Sequence, residues 1–421
     1  MLFILQQYQD WLAPLFLVFL SLQTQMGFIL LERKRVLLTH SSEQLIGRWS
    51  QLNNQPEISN LTKGMDFREP RYRREVFLRF YEYHLKYKSH PGAVYFAFPW
   101  LANKFKMDME TKLWFAFING CSQNIVTTYI IFQKFPSLKN VKLEQLSSWW
   151  GDNQHKFKAG SGWDTDRKYF KYGKTGFPNC VASYKESVDK FGSQVEMFNE
   201  LNNTGDKYKN FEKSWEFVRK NFMSFGRLSA FSYLEYLRIQ GVNLDCNSLF
   251  LDDIDGSRSH RNGLCKVLGR DDLDWWKQDL KYDHTTIEWL KVEGESLLEE
   301  AKARIDHPDV SYFTLESTFC CYKSWHRPNR RYPNVYMDMF HDRIRYAESE
   351  WGADFDLFWQ MRKDCLPIHL RQEDVPGDPG LSKDKQNHYL STGQVIMMDK
   401  EWSCFENNFM EPKGIELFMG A

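Results

Sequence analysis

Large apolar residues recur at three- and four-residue spacing through most of the chain, and no other feature constrains the fold as strongly. Phe211, Trp215, Val218 and Phe222 stand at i, i+4, i+7 and i+11, and Val76, Phe77, Phe80 and Tyr81 repeat the rhythm. That spacing collects apolar side chains on one face of an α-helix. Residues 107–135 carry Leu113, Trp114, Phe117, Ile130, Ile131 and Phe132, with Asn119-Gly120 as the expected break. Residues 227–239 (RLSAFSYLEYLRI), 285–305 and 338–350 continue the pattern, and strand-like alternation is sparse. The spacing predicts a mainly α fold. The 33 Phe, 20 Tyr and 15 Trp are enough to fill a core and leave rings that could stack on bases.

Polar and glycine-bearing stretches at 149–162, 202–207, 252–261, 326–333 and 375–384 are the expected punctuation. They suggest three parts: an apolar helix and linker at 1–65, a helical domain at 66–371, and a tail at 372–421. Residues 11–31 carry no charge and just reach the ~20 residues of a membrane span. Gln23, Thr24 and Gln25 interrupt them and Pro14 lies inside, so a docked or extra helix is the expectation. A non-native upstream extension and a membrane anchor stay open. A mean hydropathy of −0.57 excludes a polytopic membrane protein. Lys+Arg and Asp+Glu are 55 each, which excludes a histone-like coat but not a local basic groove. The eight cysteines contain no CxxC pair and read as buried or incidental thiols.

Gly173-Lys174-Thr175 lacks the Walker glycine five residues earlier, where Lys168 stands, so no phosphate cradle of that kind exists. Five clusters could carry chemistry. Trp163-Asp164-Thr165-Asp166-Arg167-Lys168-Tyr169-Phe170-Lys171 combines carboxylates for a base or metal with cations for a phosphate; otherwise it is a helix cap with a solvated basic face. Asn119, Gln123 and Asn124 are amides that could read an extruded base, or a satisfied break in the core. His90, before the run from Val94 to Trp100 that holds Tyr95, could be a general base or a turn histidine. Residues 252–263 could be a metal site, a phosphate loop or a capped surface loop. Residues 316–338 interleave Lys323, Arg330, Arg331 and Asp338 with aromatics, which suits nucleic-acid backbone contact plus stacking, or a charged surface loop.

Together FYEYHLKYKSHPGAVYFAFPWL, LWFAFINGCSQNIVTTYIIFQKFPSL, WDTDRKYFK, ESTFCCYK and RRYPNVYMD resemble the bacteriophage α-glutamyl/putrescinyl thymine pyrophosphorylase family, the amino acid:DNA transferases. The resemblance covers about residues 66–345. It implies a mainly helical catalytic domain, distantly like helical DNA glycosylases, working in the cytoplasm of the infected bacterial host. Its reaction replaces the pyrophosphate of 5-pyrophosphoryloxymethyl-deoxyuridine in double-stranded DNA with an amine. The donor would be glycine, glutamate or a putrescine-like amine, and a hydroxymethyluracil DNA kinase would act upstream. The target base must leave the stack, the leaving diphosphate needs cations or a divalent metal such as Mg²⁺, and the amine needs a base. The resemblance assigns Asp164 and Asp166 as base or metal ligands and Arg167 and Lys171 to the diphosphate; His90 stays a further candidate base from its sequence setting alone. Asn119, Gln123 and Asn124 would read the base, with Tyr95 or Trp163 stacking on it. Lys323, Arg330 and Arg331 would hold DNA phosphates, with Asp338 orienting one of them. A base-excising enzyme like the glycosylases and a non-catalytic DNA-binding phage protein are the alternatives.

Overall fold

The structure is a computed structural model. It describes residues 65, 69–88, 90, 93–157, 176–254, 256–273, 283–325, 335–352 and 355–366. Among the described residues there are fourteen α-helices and no strands, so the fold is mainly α. In chain order they are α1 (Pro70–Tyr87), α2 (Val94–Lys104), α3 (Met109–Ser122), α4 (Ile125–Lys134), α5 (Leu143–Asn153), α6 (Gly176–Asp189) and α7 (Gln194–Leu201). There follow α8 (Lys207–Asn221), α9 (Arg227–Ile239), α10 (Arg258–Val267), α11 (His284–Arg304), α12 (Tyr312–Trp325), α13 (Val335–Trp351) and α14 (Asp356–Cys365).

Side chains that satisfy the first orphan N–H groups set several helix starts. The Asp108 carboxylate accepts from the Thr111 N–H at 2.8 Å to open α3, and Asp283 accepts from the Thr286 N–H at 2.7 Å to open α11. The break expected at Asn119-Gly120 falls later. α3 runs through that pair, Gln123 turns the chain in the left-handed region (φ 54°), and Asn124 Oδ1 caps α4 by accepting from the Val126 and Thr127 N–H groups. Gly120 is needed for packing: a Cβ there would sit 3.1 Å from the Tyr233 ring and 3.2 Å from Phe225. Two other expected loops are partly helical. α5 continues through Trp149 and Trp150, which packs on Phe157 and Phe177. The stretch 252–261 gives way to α10 at Arg258.

One continuous hydrophobic core runs from Val76 to Leu366. Phe117 stacks on Tyr184, with ring centroids 3.8 Å apart and planes 8° apart, and meets Phe222, Phe225 and Tyr233. Farther along, Phe77 stacks on Phe319 at 4.8 Å. α9 joins these regions by packing on α2, α3, α8 and α12, while α10 lies against α12, α1 and α11. The α10–α12 crossing is so close that a Cβ on Gly263 would lie 2.3 Å from the Phe319 carbonyl oxygen.

The cations of α1 serve the fold. Arg73 is buried and holds Asp271 through two bonds of 2.9 and 3.0 Å, and Arg74 bonds Glu300 at 2.6 Å. No helix among the described residues is long and apolar enough to cross a membrane. Residues 11–31 and the 372–421 tail lie outside the described residues.

Candidate active site

α10 is a polar helix placed inside the protein: His260, Arg261, Asn262 and Lys266 are all buried. Burying such groups is costly unless they are paired, so a helix of this kind marks a place where polarity is used. Its main neighbour, α12, presents Glu316, Ser317, Cys320 and Lys323, and three of the sequence clusters converge on that face.

Arg227, the first residue of α9, sets Nη1 3.2 Å from Glu316 Oε1 and 3.2 Å from the Gly256 carbonyl oxygen. His260 Nδ1 lies 3.1 Å from the same carboxylate oxygen. Its Nε2 lies 2.7 Å from the Leu249 carbonyl oxygen, a contact only an N–H can make. Cys320 Sγ is 3.9 Å from Glu316 Oε2, and the Lys323 ammonium donates to Ser259 Oγ. Burial alone would push the Glu316 carboxyl up, but His260 and Arg227 outweigh it and hold the group down to about 2. Glu316 is therefore an ionised carboxylate inside the protein.

One residue along α12, the Ser317 hydroxyl donates to the Thr314 carbonyl at 3.0 Å. Its oxygen must then accept from His90 Nδ1 at 3.0 Å, so His90 carries its proton on Nδ1. Its Nε2 is buried with no hydrogen-bond partner among the described residues. Burial and then His307 push His90 down to about 3, which leaves a neutral and weakly basic ring. The Tyr95 ring centroid lies 4.9 Å from that of His90, and the Tyr95 hydroxyl donates to Glu235 Oε1 at 2.7 Å. Burial raises Glu235 to about 8; the Tyr95 hydrogen bond opposes this and the charge of Glu316 adds to it. One carboxyl ionised and another protonated at neutral pH is the arrangement that divides base from acid roles in a site.

Glu235→Gln keeps an acceptor for Tyr95 and removes the titration. The folded protein holds the Glu235 proton between the ordinary 4.5 and about 8, where the unfolded chain has lost it. Its contribution to stability is full below about pH 4.5 and is lost as pH rises through 8. The variant should match the parent near pH 4.5 and exceed it near pH 9, by roughly 1 kcal/mol per pH unit of the window. Parallel denaturant curves at the two ends would read this, and identical slopes against pH for both proteins would refute it.

The amide cluster is partly committed to structure. Asn119 Oδ1 accepts from Thr128 at 2.9 Å while its Nδ2 has no partner, and Asn124 Oδ1 is the α4 cap. Gln123 Nε2 reaches Ser232 Oγ at 3.3 Å. Trp163, Asp164, Asp166, Arg167, Lys171, Arg330 and Arg331 lie outside the described residues. Asp338 is in α13. Arg227 and Glu235 were missed in the sequence. The signal for Glu235 was available, as the lone carboxylate in the apolar RLSAFSYLEYLRI; Arg227 had none beyond following Gly226.

The family model described as amino acid:DNA transferase matches residues 77–331, more than half of the chain and all of the α9–α10–α12 cluster. A serinyltransferase of Salmonella phage ViI is 27% identical over 325 residues, covering 73% of this chain and 76% of that protein. No solved structure matches.

Proposed function

The chain belongs to the amino acid:DNA transferase family, and on that premise we propose that it moves an amino acid onto an activated thymine-type base in DNA. The acceptor is a uracil whose 5-hydroxymethyl group carries a diphosphate, made by a DNA kinase upstream. The donor's nucleophilic nitrogen or oxygen attacks the exocyclic methylene carbon. The carbon–oxygen bond to diphosphate breaks with its electron pair on the leaving oxygen, and the donor's proton passes to a protein base. Serine is the first donor to test, because a relative is named a serinyltransferase. Glycine, glutamate and putrescine stand beside it.

The observation that carries this reading is the charge gathered on α9 and α12 within the matched span: buried Arg227, half-buried Lys323 and ionised Glu316 together with protonated Glu235. A transfer of this kind needs a cationic wall for a leaving anion and separate groups to hold and release a proton. Arg167 and Lys171 would meet the diphosphate, with Asp164 or Asp166 as base or as ligands of a divalent metal. Gln123 and Tyr95 would contact the extruded base, and Lys323, Arg330 and Arg331 the DNA backbone.

The test is mass spectrometry of nucleosides from DNA carrying the pyrophosphorylated base, incubated with each donor. The expected product is one new nucleoside with the mass of 5-hydroxymethyl-deoxyuridine plus the donor minus one water, with diphosphate released only when donor is present. Abasic sites without an adduct would favour base excision instead, and DNA binding with no product from any donor would reject the transferase reading of this chain.

A further inference from the structure

Three side chains of the α10–α12 cluster that can each offer a metal-ligand atom, His260, Glu316 and Cys320, stand close together, and their arrangement points to a ligand. His260 is fully buried and its Nε2–H is fixed on the Leu249 carbonyl at 2.7 Å. The other nitrogen, Nδ1, lies 3.1 Å from Glu316 Oε1 yet makes no hydrogen bond. With Nε2–H committed to the Leu249 carbonyl, a positive charge has to lie between Nδ1 and the carboxylate: either a proton on the ring or a metal ion. Cys320 Sγ stands 3.9 Å from the carboxylate's second oxygen, and the donor atoms of all three side chains lie within 4.8 Å of one another.

We propose that His260, Glu316 and Cys320 form a binding site for a zinc-class metal ion. Bond lengths of about 2.0 Å to nitrogen or oxygen and about 2.3 Å to sulfur give tetrahedral edges of roughly 3.3–3.6 Å; the donors here are 3.1 and 3.9 Å apart on two edges and all within 4.8 Å, so small side-chain shifts would complete the site. The surroundings fit as well. A ligating histidine characteristically donates its other N–H to a carbonyl, as His260 does to Leu249, and a ligating carboxylate is itself hydrogen-bonded, as Glu316 is by Arg227. Imidazole, carboxylate and thiolate select zinc, or cobalt as its spectroscopic substitute, over magnesium. This separates the site from the Asp164/Asp166 pair, whose oxygen ligands would suit magnesium. On binding, Cys320 loses its proton to solvent and the sulfur–metal bond takes its place. Three protein donors leave a fourth position for water or for an oxygen of a phosphate group. The negative charges of Cys320 and Glu316 offset the divalent ion, and Arg227 touches the carboxylate on Oε1.

The inference needs neither DNA nor an amino acid donor, so its failure would leave the transfer reaction untouched, and the reverse. The full-length protein, purified without chelator, is expected to hold about one equivalent of zinc by elemental analysis. The metal-stripped protein should take up cobalt(II) with a near-ultraviolet thiolate-to-cobalt charge-transfer band. Cys320→Ser should abolish that band, and Cys365→Ser should keep it, with circular dichroism reporting that both variants are folded. A parent protein without zinc and without the cobalt band would overturn the proposal and leave His260 as an imidazolium on Glu316. A band that survives Cys320→Ser would overturn it too.

Discussion

Gly263→Ala should cost about 3 kcal/mol or more and lower the denaturation midpoint sharply. The added methyl carbon would sit 2.3 Å from the Phe319 carbonyl oxygen, 2.6 Å from its Cβ and 2.7 Å from its carbonyl carbon. Two of those atoms are backbone within α12, so no side-chain rotation relieves the clash and the two helices must separate. Overpacking in a close-packed interior typically costs about 1–3 kcal/mol, and here the separation would also loosen the contacts of His260 with Glu316 and of Lys323 with Ser259. Gly151→Ala is the control. It lies in α5 with nothing within 4 Å of the added carbon, so replacing a helical glycine should stabilise by up to about 1 kcal/mol. Opposite signs are expected from the same substitution at two helical glycines. Equal stabilities of Gly263→Ala and the parent protein would mean that α10 and α12 do not cross as closely as described.

The second large effect is expected at the Arg227–Glu316 ion pair. Both side chains are more than nine-tenths buried. Arg227→Met strands an ionised carboxylate with His260 alone, and Glu316→Gln strands a guanidinium whose Nε already has no partner. Breaking a buried pair from one side typically costs about 3–5 kcal/mol, because the remaining charge has neither water nor partner. The double variant removes both charges and should recover much of that loss, with a coupling on the order of 1–3 kcal/mol. Denaturant curves recorded in chelator read the ion pair without any metal contribution. Single-variant losses that simply add would show that the two groups do not interact. On the proposed function both single variants should also lose turnover, since each disturbs the charged wall assigned there to the leaving group.

The helices follow from local rules that can be read along the chain. The 227–239 segment is helical at the expected residues: the preceding helix ends at Asn221, Gly226 stands at the N-cap position, and apolar spacing resumes after it. The helix expected at 285–305 is observed at His284–Arg304 with Asp283 as its cap. Where the expectation missed, a long-range contact overrode a local preference. Gly120 is a helix breaker by propensity, yet the packed helix keeps it, because Tyr233 and Phe225, more than a hundred residues away, lie 3.1 and 3.2 Å from where a Cβ would stand and leave little space there. Residues 258–267 look like a charged surface loop because polarity normally predicts exposure, and here α1, α11 and α12 enclose them.

Periodicity, capping residues and the pattern of aromatic rings depend on neighbours within a few positions, so the chain alone determined that it is helical, roughly where several of its helices lie, and which family it belongs to. Which charges meet inside the protein depends on how helices distant in sequence cross. Only the tertiary structure decided that His90, Arg227, Glu235, His260 and Glu316, spread over more than two hundred residues, gather around one face of α12. The physical reason is that pairing of buried charge is a property of the packed interior, and no spacing along the chain encodes it.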